Sequence, residues 1–289
     1  MNTNELLKKI KLIEIKTRGL TRHVFSGEYH SSFKGRGMAF SEVRDYHAGD
    51  EVRTIDWNVT ARFNAPFVKV FEEERELTVI LIIDISGSGD FGTQHKTKKD
   101  LAIELAAVIA FSAVANNDKV GAIFVSDHVE KYIAPTKGKK HALYILREMI
   151  EFRPVSLNTN LSEGLRFFRN VLKKRSIGFV ISDFMDPNPF AEGFRISRRK
   201  HDMVAIRLSD PAESQLPDLG MVRVFNAETG KKTWINSSSE KNRTWYRENY
   251  LKFEQEIQAF FKRNSIDHTT ISTTDDYIPG LVHLFQSRG

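Results

Sequence analysis

LTVILIIDISGSGDF, residues 77–91, is the stretch of sequence from which the fold of this chain follows. Its first part, residues 78–83, is β-branched or leucine throughout and shows no polar alternation. Such a run is typical of a strand buried on both faces of a sheet, because a strand with one wet face alternates apolar and polar side chains. We therefore predict that residues 78–83 form the central strand of a mostly parallel sheet.

Polar side chains follow this strand directly. Asp84, Ser86 and Ser88 place one carboxylate and two hydroxyls at alternate positions of a loop, and two glycines let that loop turn tightly. Ligand sites in parallel sheets lie at the carboxyl ends of strands, and hard oxygen donors suit a small hard cation such as Mg²⁺. A second explanation stays open, in which the hydroxyls only cap backbone amides of a strand-to-helix turn.

The D-x-S-x-S pattern of this loop resembles the first segment of the metal-ion-dependent adhesion site of von Willebrand factor A domains. Two further segments match that resemblance: Thr159 lies in a short polar loop, and Asp183 ends a second apolar run, residues 179–183. The resemblance implies an Mg²⁺ or Mn²⁺ ion held by Asp84, Ser86, Ser88, Thr159 and Asp183.

The resemblance implies that the three hydroxyl groups ligate the ion. It implies that the two carboxylates contact the ion directly or through water. Neutral hydroxyl ligands do not cancel the charge of the cation. An acidic side chain of a partner protein can then fill the remaining octahedral position. The implied role is therefore binding rather than catalysis.

Two positions depart from the adhesion-site pattern. Asn158 stands where a glycine commonly precedes the threonine, which could shift the loop of Thr159 and weaken the site. Gly89 stands where many relatives carry methionine, and we expect this change to matter less.

Helical and strand patterns alternate along the rest of the chain, as a doubly wound sheet requires. Apolar spacing predicts a helix over residues 97–116 whose first turn, Lys98 to Asp100, is exposed. Residues 129–134 are expected to pair antiparallel with a strand over 120–125. Further helices are predicted at 139–152, 161–173, 190–200, 240–263 and 278–286, and further strands at 177–181, 203–208, 222–225, 232–235 and 268–272. The predicted fold class is α/β, with a doubly wound, mostly parallel sheet flanked by helices.

A strand-rich preamble precedes this domain. Residues 4–17 predict an amphipathic helix, and residues 25–75 combine aromatics, glycines and opposite charges. We predict two parts, residues 1–75 packed on a von Willebrand factor A-like domain of residues 76–289. The preamble resembles the hallmark of the bacterial family catalogued as domain of unknown function fifty-eight. The resemblance rests on Gly37, Phe40, Glu42, Arg44, Tyr46, Gly49, Asp50, Arg53, Ile55, Asp56, Trp57, Ala61, Arg62, Glu72, Glu74 and Arg75.

The charges of the preamble allow two interpretations. Its arginines, Arg44 among them, can form bidentate pairs with nearby acids such as Asp50. Such pairs either fasten the preamble to the main domain, which we favour, or form a docking surface for a partner.

Composition narrows the classes of function. The sequence of 289 residues has no cysteine, which excludes disulfides and thiolate chemistry. Its net charge is +6, but the lysines and arginines are interleaved with acidic residues along the chain. We therefore expect no nucleic-acid partner. Residues 105–115 are too few to span a bilayer, which takes about 20, and no signal-peptide pattern opens the sequence. We expect a cytoplasmic protein without a transmembrane segment.

The resemblance implies a metal-dependent protein-interaction module rather than an enzyme. Proteins of that family often occur with MoxR-type AAA+ ATPases, so the expected partner is such an ATPase or an acidic client surface, in a chaperone or assembly role. A metal-dependent phosphoesterase is the alternative. It requires a general base, for which His95 and His128 are the candidates by sequence distance alone.

Overall fold

A computed structural model describes residues 38–63, 65–73, 76–93, 96–225 and 230–287 of the chain. The described residues fall into two compact units, one within Phe33–Leu77 and one that begins at Thr78. The helix predicted at residues 4–17 lies outside the described residues. The predicted packing of residues 1–75 on residues 76–289 stays a prediction.

The small unit is built on one antiparallel pair of strands. Strand β1, Met38–Asp45, pairs with β2, Phe67–Glu73, and the connection between them contains helix α1, Trp57–Phe63. The guanidinium of Arg44 donates two hydrogen bonds to the carboxylate of Asp50, at 2.8 and 2.7 Å. One of the bidentate pairs expected in the preamble is therefore present, and it lies within the small unit.

The large unit is built on a six-stranded sheet in the order β10-β7-β6-β3-β4-β5. Every neighbouring pair is parallel except β4 with β5, which is antiparallel. The six strands are β3 Thr78–Asp84, β4 Lys119–Val125, β5 Val129–Thr136, β6 Ile177–Ser182, β7 Asp202–Ser209 and β10 Asp267–Ser272. Strands β8, Met221–Phe225, and β9, Lys232–Asn236, form a separate antiparallel hairpin.

Helices lie between these strands along the chain, as the alternating pattern predicts. They are α2 Lys98–Ala115, α3 Lys139–Glu151, α4 Leu161–Val171, α5 Ala191–Arg198, α6 Pro211–Ser214, α7 Glu240–Arg263 and α8 Tyr277–Gln286. The predicted α/β class is confirmed, and the bounds of the predicted elements agree to within about two residues. None of the helices in the described part of the chain combines the length and the apolar character needed to cross a membrane.

Strand β3 is the centre of the core, as its sequence predicts. All five residues from Val79 to Ile83 are at most 1% exposed, because β3 has β6 on one side and β4 on the other. Ile80 and Ile82 belong to an apolar cluster with residues of α4, α5 and α7, such as Phe168 and Phe194. Alternate residues of β3 point to the opposite face, and helix α2 also packs against β3. The parallel strands therefore end at one edge, which carries Asp84.

Candidate metal centre

The loop after β3 brings its three oxygen-bearing side chains together. Asp84 is the last residue of β3, and residues Gly87–Asp90 form a single 3-10 turn directly after it. The amide of Ser86 donates to Asp84 Oδ1 at 3.0 Å, and the Ser86 and Ser88 hydroxyls lie 3.2 Å apart. Ser86 is buried. Asp84 and Ser88 are half-buried, so the loop holds its three oxygen-bearing side chains close together at the end of the strand.

Asp183 reaches the same place from the neighbouring strand. It follows Ser182, the last residue of β6, and β6 pairs directly with β3. The Ser182 hydroxyl donates to Asp84 Oδ2 at 2.6 Å, and the Asp183 side chain is buried. Phe184 then takes a positive φ of 60°, a left-handed backbone conformation that residues other than glycine adopt only rarely. The chain turns sharply there, which leaves Asp183 beside Asp84.

Thr159 lies in a third loop that contacts both of the others. The amide of Gly87 donates to the carbonyl of Leu157 at 2.9 Å, which joins this loop to the loop of Asp84. Asn188 Nδ2 donates to the carbonyl of Thr159 at 2.8 Å, which joins it to the loop after β6. Thr159 is 2% exposed. Each pair of the three loops is therefore linked by at least one hydrogen bond, and the five predicted residues lie in these loops.

A carboxylate that the sequence analysis did not single out supports this arrangement. Asp186 accepts a hydrogen bond from the amide of Leu161 at 2.7 Å, at the start of helix α4. A carboxylate at a helix N-terminus satisfies an amide that has no partner within the helix. Asp186 thereby fixes the direction in which α4 leaves the loop of Thr159.

Lys98 is the functional-site residue that sequence reasoning missed. It was expected on the exposed first turn of α2, and this prediction is wrong, because its side chain is 2% exposed. Its ammonium Nζ lies 2.5 Å from Asp183 Oδ2 and 2.6 Å from Glu213 Oε1. The spacing of the sequence does carry a signal for the burial of Lys98. Lys98 lies three residues before Leu101 and seven before Leu105, both of which face inward, and it therefore shares their helix face.

The two carboxylates of the site differ in their proton affinity. Burial and the negative charge of Asp183 raise the pKa of Asp84 to about 6. Burial also works against ionisation of Asp183, but the charge and the hydrogen bond of Lys98 outweigh it and lower the pKa of Asp183. Burial alone would lower the pKa of Lys98, yet the charges of Asp183 and Glu213 raise it. Lys98 therefore keeps Asp183 ionised. The negative charge of Asp84 has no such cation beside it among the described contacts.

The donor set fits a hard divalent cation. Ser86 and Thr159 are buried and Asp84 and Ser88 are half-buried at this edge, where an added positive charge relieves the repulsion between Asp84 and Asp183. Asp183 accepts from Lys98 on one oxygen and from the amide of Met185 on the other, at 3.0 Å, so it suits contact with the ion through water. Among the described residues no group of three or more His, Cys, Asp or Glu could hold a metal. An ion here therefore depends on the hydroxyls and on water.

The histidines proposed for hydrolysis gain no support from the described contacts. His95 lies outside the described residues. The imidazole of His128 is 54% exposed and its Nδ1 lies 2.6 Å from Asp127 Oδ1. Asp127 also accepts a hydrogen bond from the Ser156 hydroxyl at 2.8 Å, so this pair supports the segment that leads to Thr159.

The sheet order, with this three-loop edge, defines a von Willebrand factor A-like α/β protein. An aerotolerance-related membrane protein from Bacteroides fragilis NCTC 9343 has the same fold, with a TM-score of 0.50 and 13% identity over 73% of this chain and 98% of that one. The BatB protein of Bacteroides thetaiotaomicron gives a TM-score of 0.48 at 12% identity, over 73% and 98% of the two chains. The VWA domain of SpRpn10 gives 0.40 at 12% identity, over 73% and 95%.

The chain belongs to the family described as "Protein of unknown function DUF58", which matches residues 42–256. Uncharacterized protein Rv1480 of Mycobacterium tuberculosis is 30% identical to it over 228 residues, 78% of this chain and 72% of that protein. Uncharacterized protein Mb1516 of Mycobacterium bovis has the same identity and coverage. The predicted family is therefore confirmed.

Replacement of the buried ammonium should be strongly destabilising. Lys98→Met leaves Asp183 and Glu213 without their shared cation, and removal of one partner from a buried ion pair typically costs about 3–5 kcal/mol of the free energy of unfolding. Urea denaturation at pH 7 measures the loss. Lys99→Met, at the neighbouring half-buried position, is the matched control and should cost less than about 1 kcal/mol. Equal losses in the two variants would show that the burial of Lys98 contributes nothing to stability.

The pKa of Asp84 predicts a pH dependence of stability in EDTA. The folded-state pKa, about 6, lies above the ordinary value of 3.8, so the folded protein binds the proton more tightly than the unfolded chain. Asp84 therefore contributes most to the free energy of unfolding below pH 4. This contribution, at most about 3 kcal/mol, is lost as the pH rises through 6. Asp84→Asn should remove this component, and parallel pH profiles of the two proteins between pH 4 and 7 would contradict it.

Proposed function

We propose that this protein is a metal-dependent protein-interaction module whose carboxyl-edge site captures an acidic side chain of a partner. The observation that supports the proposal is the hydrogen bonding among the three loops that carry Asp84, Ser86, Ser88, Thr159 and Asp183. Structural caps alone do not require oxygen-bearing side chains in three separate loops that are hydrogen-bonded to one another.

The residues divide into ligands and supports. Ser86, Ser88 and Thr159 would hold Mg²⁺ or Mn²⁺ through their hydroxyl oxygens, with Asp84 as the nearby anionic group. When bound, the ion supplies positive charge and an open octahedral position that a carboxylate can fill. Lys98 holds the Asp183 carboxylate in place at 2.5 Å, so the second anionic group of the site keeps its position without the metal.

A MoxR-type AAA+ ATPase is the partner that we propose, on the strength of the family resemblance, and the acidic residue would belong to that ATPase or to its client. The chaperone or assembly role and the cytoplasmic setting belong to the same proposal. Hydrolysis of phosphoesters is not proposed, because no contact of a described residue favours a general base at this edge.

Metal binding should depend on the predicted ligands. In the wild-type protein we expect Mg²⁺ to raise the free energy of unfolding, by about 2.7 kcal/mol at one hundred times the dissociation constant. Asp84→Asn and Ser86→Ala should each abolish this gain. Ser162→Ala removes a hydroxyl that bonds only to the carbonyl of Pro189 among its described contacts and serves as the control. Thermal unfolding with Mg²⁺ or EDTA measures the effect, and equal stabilisation of Asp84→Asn would refute the site.

Partner capture should require the same residues. A purified MoxR-type ATPase from the same cell should bind the wild-type protein in Mg²⁺, and should lose most of that binding in EDTA or with Asp84→Asn, because the open coordination position is then absent. Surface plasmon resonance measures the interaction, with Ser162→Ala as the folded control. Metal-independent binding by a folded Asp84→Asn protein would overturn the mechanism. Release of phosphate from p-nitrophenyl phosphate, lost in Asp84→Asn, would instead establish the phosphoesterase.

A further inference from the structure

A cavity of about 250 Å³ lies beside the proposed metal site. The loop of Asp84 forms one wall, helix α2 a second, and the end of α3 with the segment after it a third. Its apolar lining includes Ile85, Ala102, Ile103, Met149, Phe152 and Leu157. The cavity and the metal site therefore share the Asp84 loop as a common wall.

The size of the cavity suits one side chain. It exceeds the cavity of about 150 Å³ that accepts a benzene molecule in an engineered protein core. It is smaller than the roughly 300–1,000 Å³ of pockets that enclose drug-sized ligands. An aliphatic side chain such as leucine or methionine fits within such a space, and the apolar lining makes its burial favourable.

Position 89, which carries no side chain, lies in the wall of the cavity. A Cβ atom built at Gly89 would meet only the Cβ of Lys99, at an ordinary contact distance of 3.9 Å. Gly89 and Lys99 both line the cavity. The first atom of a side chain at position 89 therefore meets no backbone, so a longer residue introduced there is a suitable means of narrowing the cavity.

The charges around the cavity indicate the chemistry of its occupant. Lys99 and the exposed Arg153 line it on the helix side, opposite the carboxylates of Asp84 and Asp90 on the loop side. The Nζ of Lys99 lies 3.5 Å from the carbonyl of Phe152, at the end of α3. With a divalent cation bound beside Asp84, as the proposed function requires, the positive charges of the ion, Lys99 and Arg153 outnumber the negative charges of Asp84 and Asp90, and this surface is complementary to an acidic segment. Leu157 and the 87% exposed Val155 extend the apolar surface along the segment that leads to Thr159.

We propose that this cavity binds an aliphatic side chain adjacent to the acidic residue that the metal site captures. The partner is thus a protein segment in which leucine or methionine neighbours aspartate or glutamate. The inference rests on the proposed function, since the acidic residue must reach the metal for its neighbour to reach the cavity. The metal selects a carboxylate, and the cavity selects which carboxylate-bearing segment binds.

Capped hexapeptides test the inference directly. Three peptides carry Leu-Asp, Ala-Asp or Leu-Asn at the centre, each between Gly-Ser flanks. Three more carry the same pairs in the reverse order, Asp-Leu, Asp-Ala and Asn-Leu. In Mg²⁺ the better of the two Leu and Asp orders should bind the wild-type protein about tenfold more tightly than its alanine counterpart, because a leucine side chain becomes buried. The asparagine peptides should bind at least tenfold more weakly than the aspartate peptides. Isothermal titration calorimetry measures the affinities.

Gly89→Met plugs the cavity without removing a metal ligand. In this variant the leucine peptide should bind no better than the alanine peptide, while Mg²⁺ stabilises the protein as in wild type. Ala191→Met adds the same side chain at an exposed position of α5 and should keep the tenfold preference. Methyl NMR gives a second readout, in which the leucine peptide but not the alanine peptide shifts the signals of Ile103 and Met149.

The outcomes separate this inference from the proposed function. Binding that needs Mg²⁺ and aspartate but is equal for leucine and alanine overturns the cavity and leaves the metal-dependent module standing. Leucine-dependent binding that persists in Gly89→Met, or that leaves the Ile103 and Met149 signals unmoved, also overturns the cavity. If aspartate and asparagine peptides bind equally, or none binds in Mg²⁺, the proposed function and the inference fall together.

Discussion

The carboxyl edge of this protein depends on one buried ammonium group. Lys98, at the start of α2, joins Asp183 after β6 to Glu213 in α6, and all three side chains are at most 9% exposed. With Asp84, the cluster contains three carboxylates and one ammonium, a net charge of −2 when all are ionised. The edge therefore combines a fixed internal cation with an excess of negative charge.

This arrangement assigns different roles to the two aspartates. Both oxygens of Asp183 accept hydrogen bonds, from Lys98 and from the amide of Met185. Among the described residues, the donors to Asp84 are neutral: the Ser182 hydroxyl and the amide and hydroxyl of Ser86. Neutral donors offset less of the cost of a buried charge than an ammonium does. An incoming cation therefore gains most from Asp84, and Asp183 acts mainly as a positioned partner.

The sequence predicted most of the fold because its signals are local. The unbroken apolar run of β3 identified a strand buried on both faces, and the parallel order placed Asp84 and Asp183 at one edge. The burial of Lys98 could not be predicted in this way. Its partners lie 85 and 115 residues away in the sequence, and a lysine in the first turn of a helix is ordinarily solvated. The one local indication of this burial is that Lys98 and Leu101 share a helix face. The hydrogen bonds between loops are equally non-local, so the resemblance, rather than a local pattern, identified Thr159.

The glycine at position 89 gains a meaning that its sequence context did not reveal. A missing side chain leaves no apolar signal in the sequence, yet Gly89 lies in the wall of a cavity that α2 and the end of α3 also line. A hydrogen bond from the amide of Gly87 to the carbonyl of Leu157 joins the loop of Asp84 to the segment that lines this space, so the proposed coordination and the proposed filling of the cavity involve connected parts of the chain. Coordination alone discriminates poorly, since every acidic residue offers a carboxylate. Discrimination between partners is a difference of affinities, and a shaped apolar pocket next to a generic charge contact is a physical means of creating that difference.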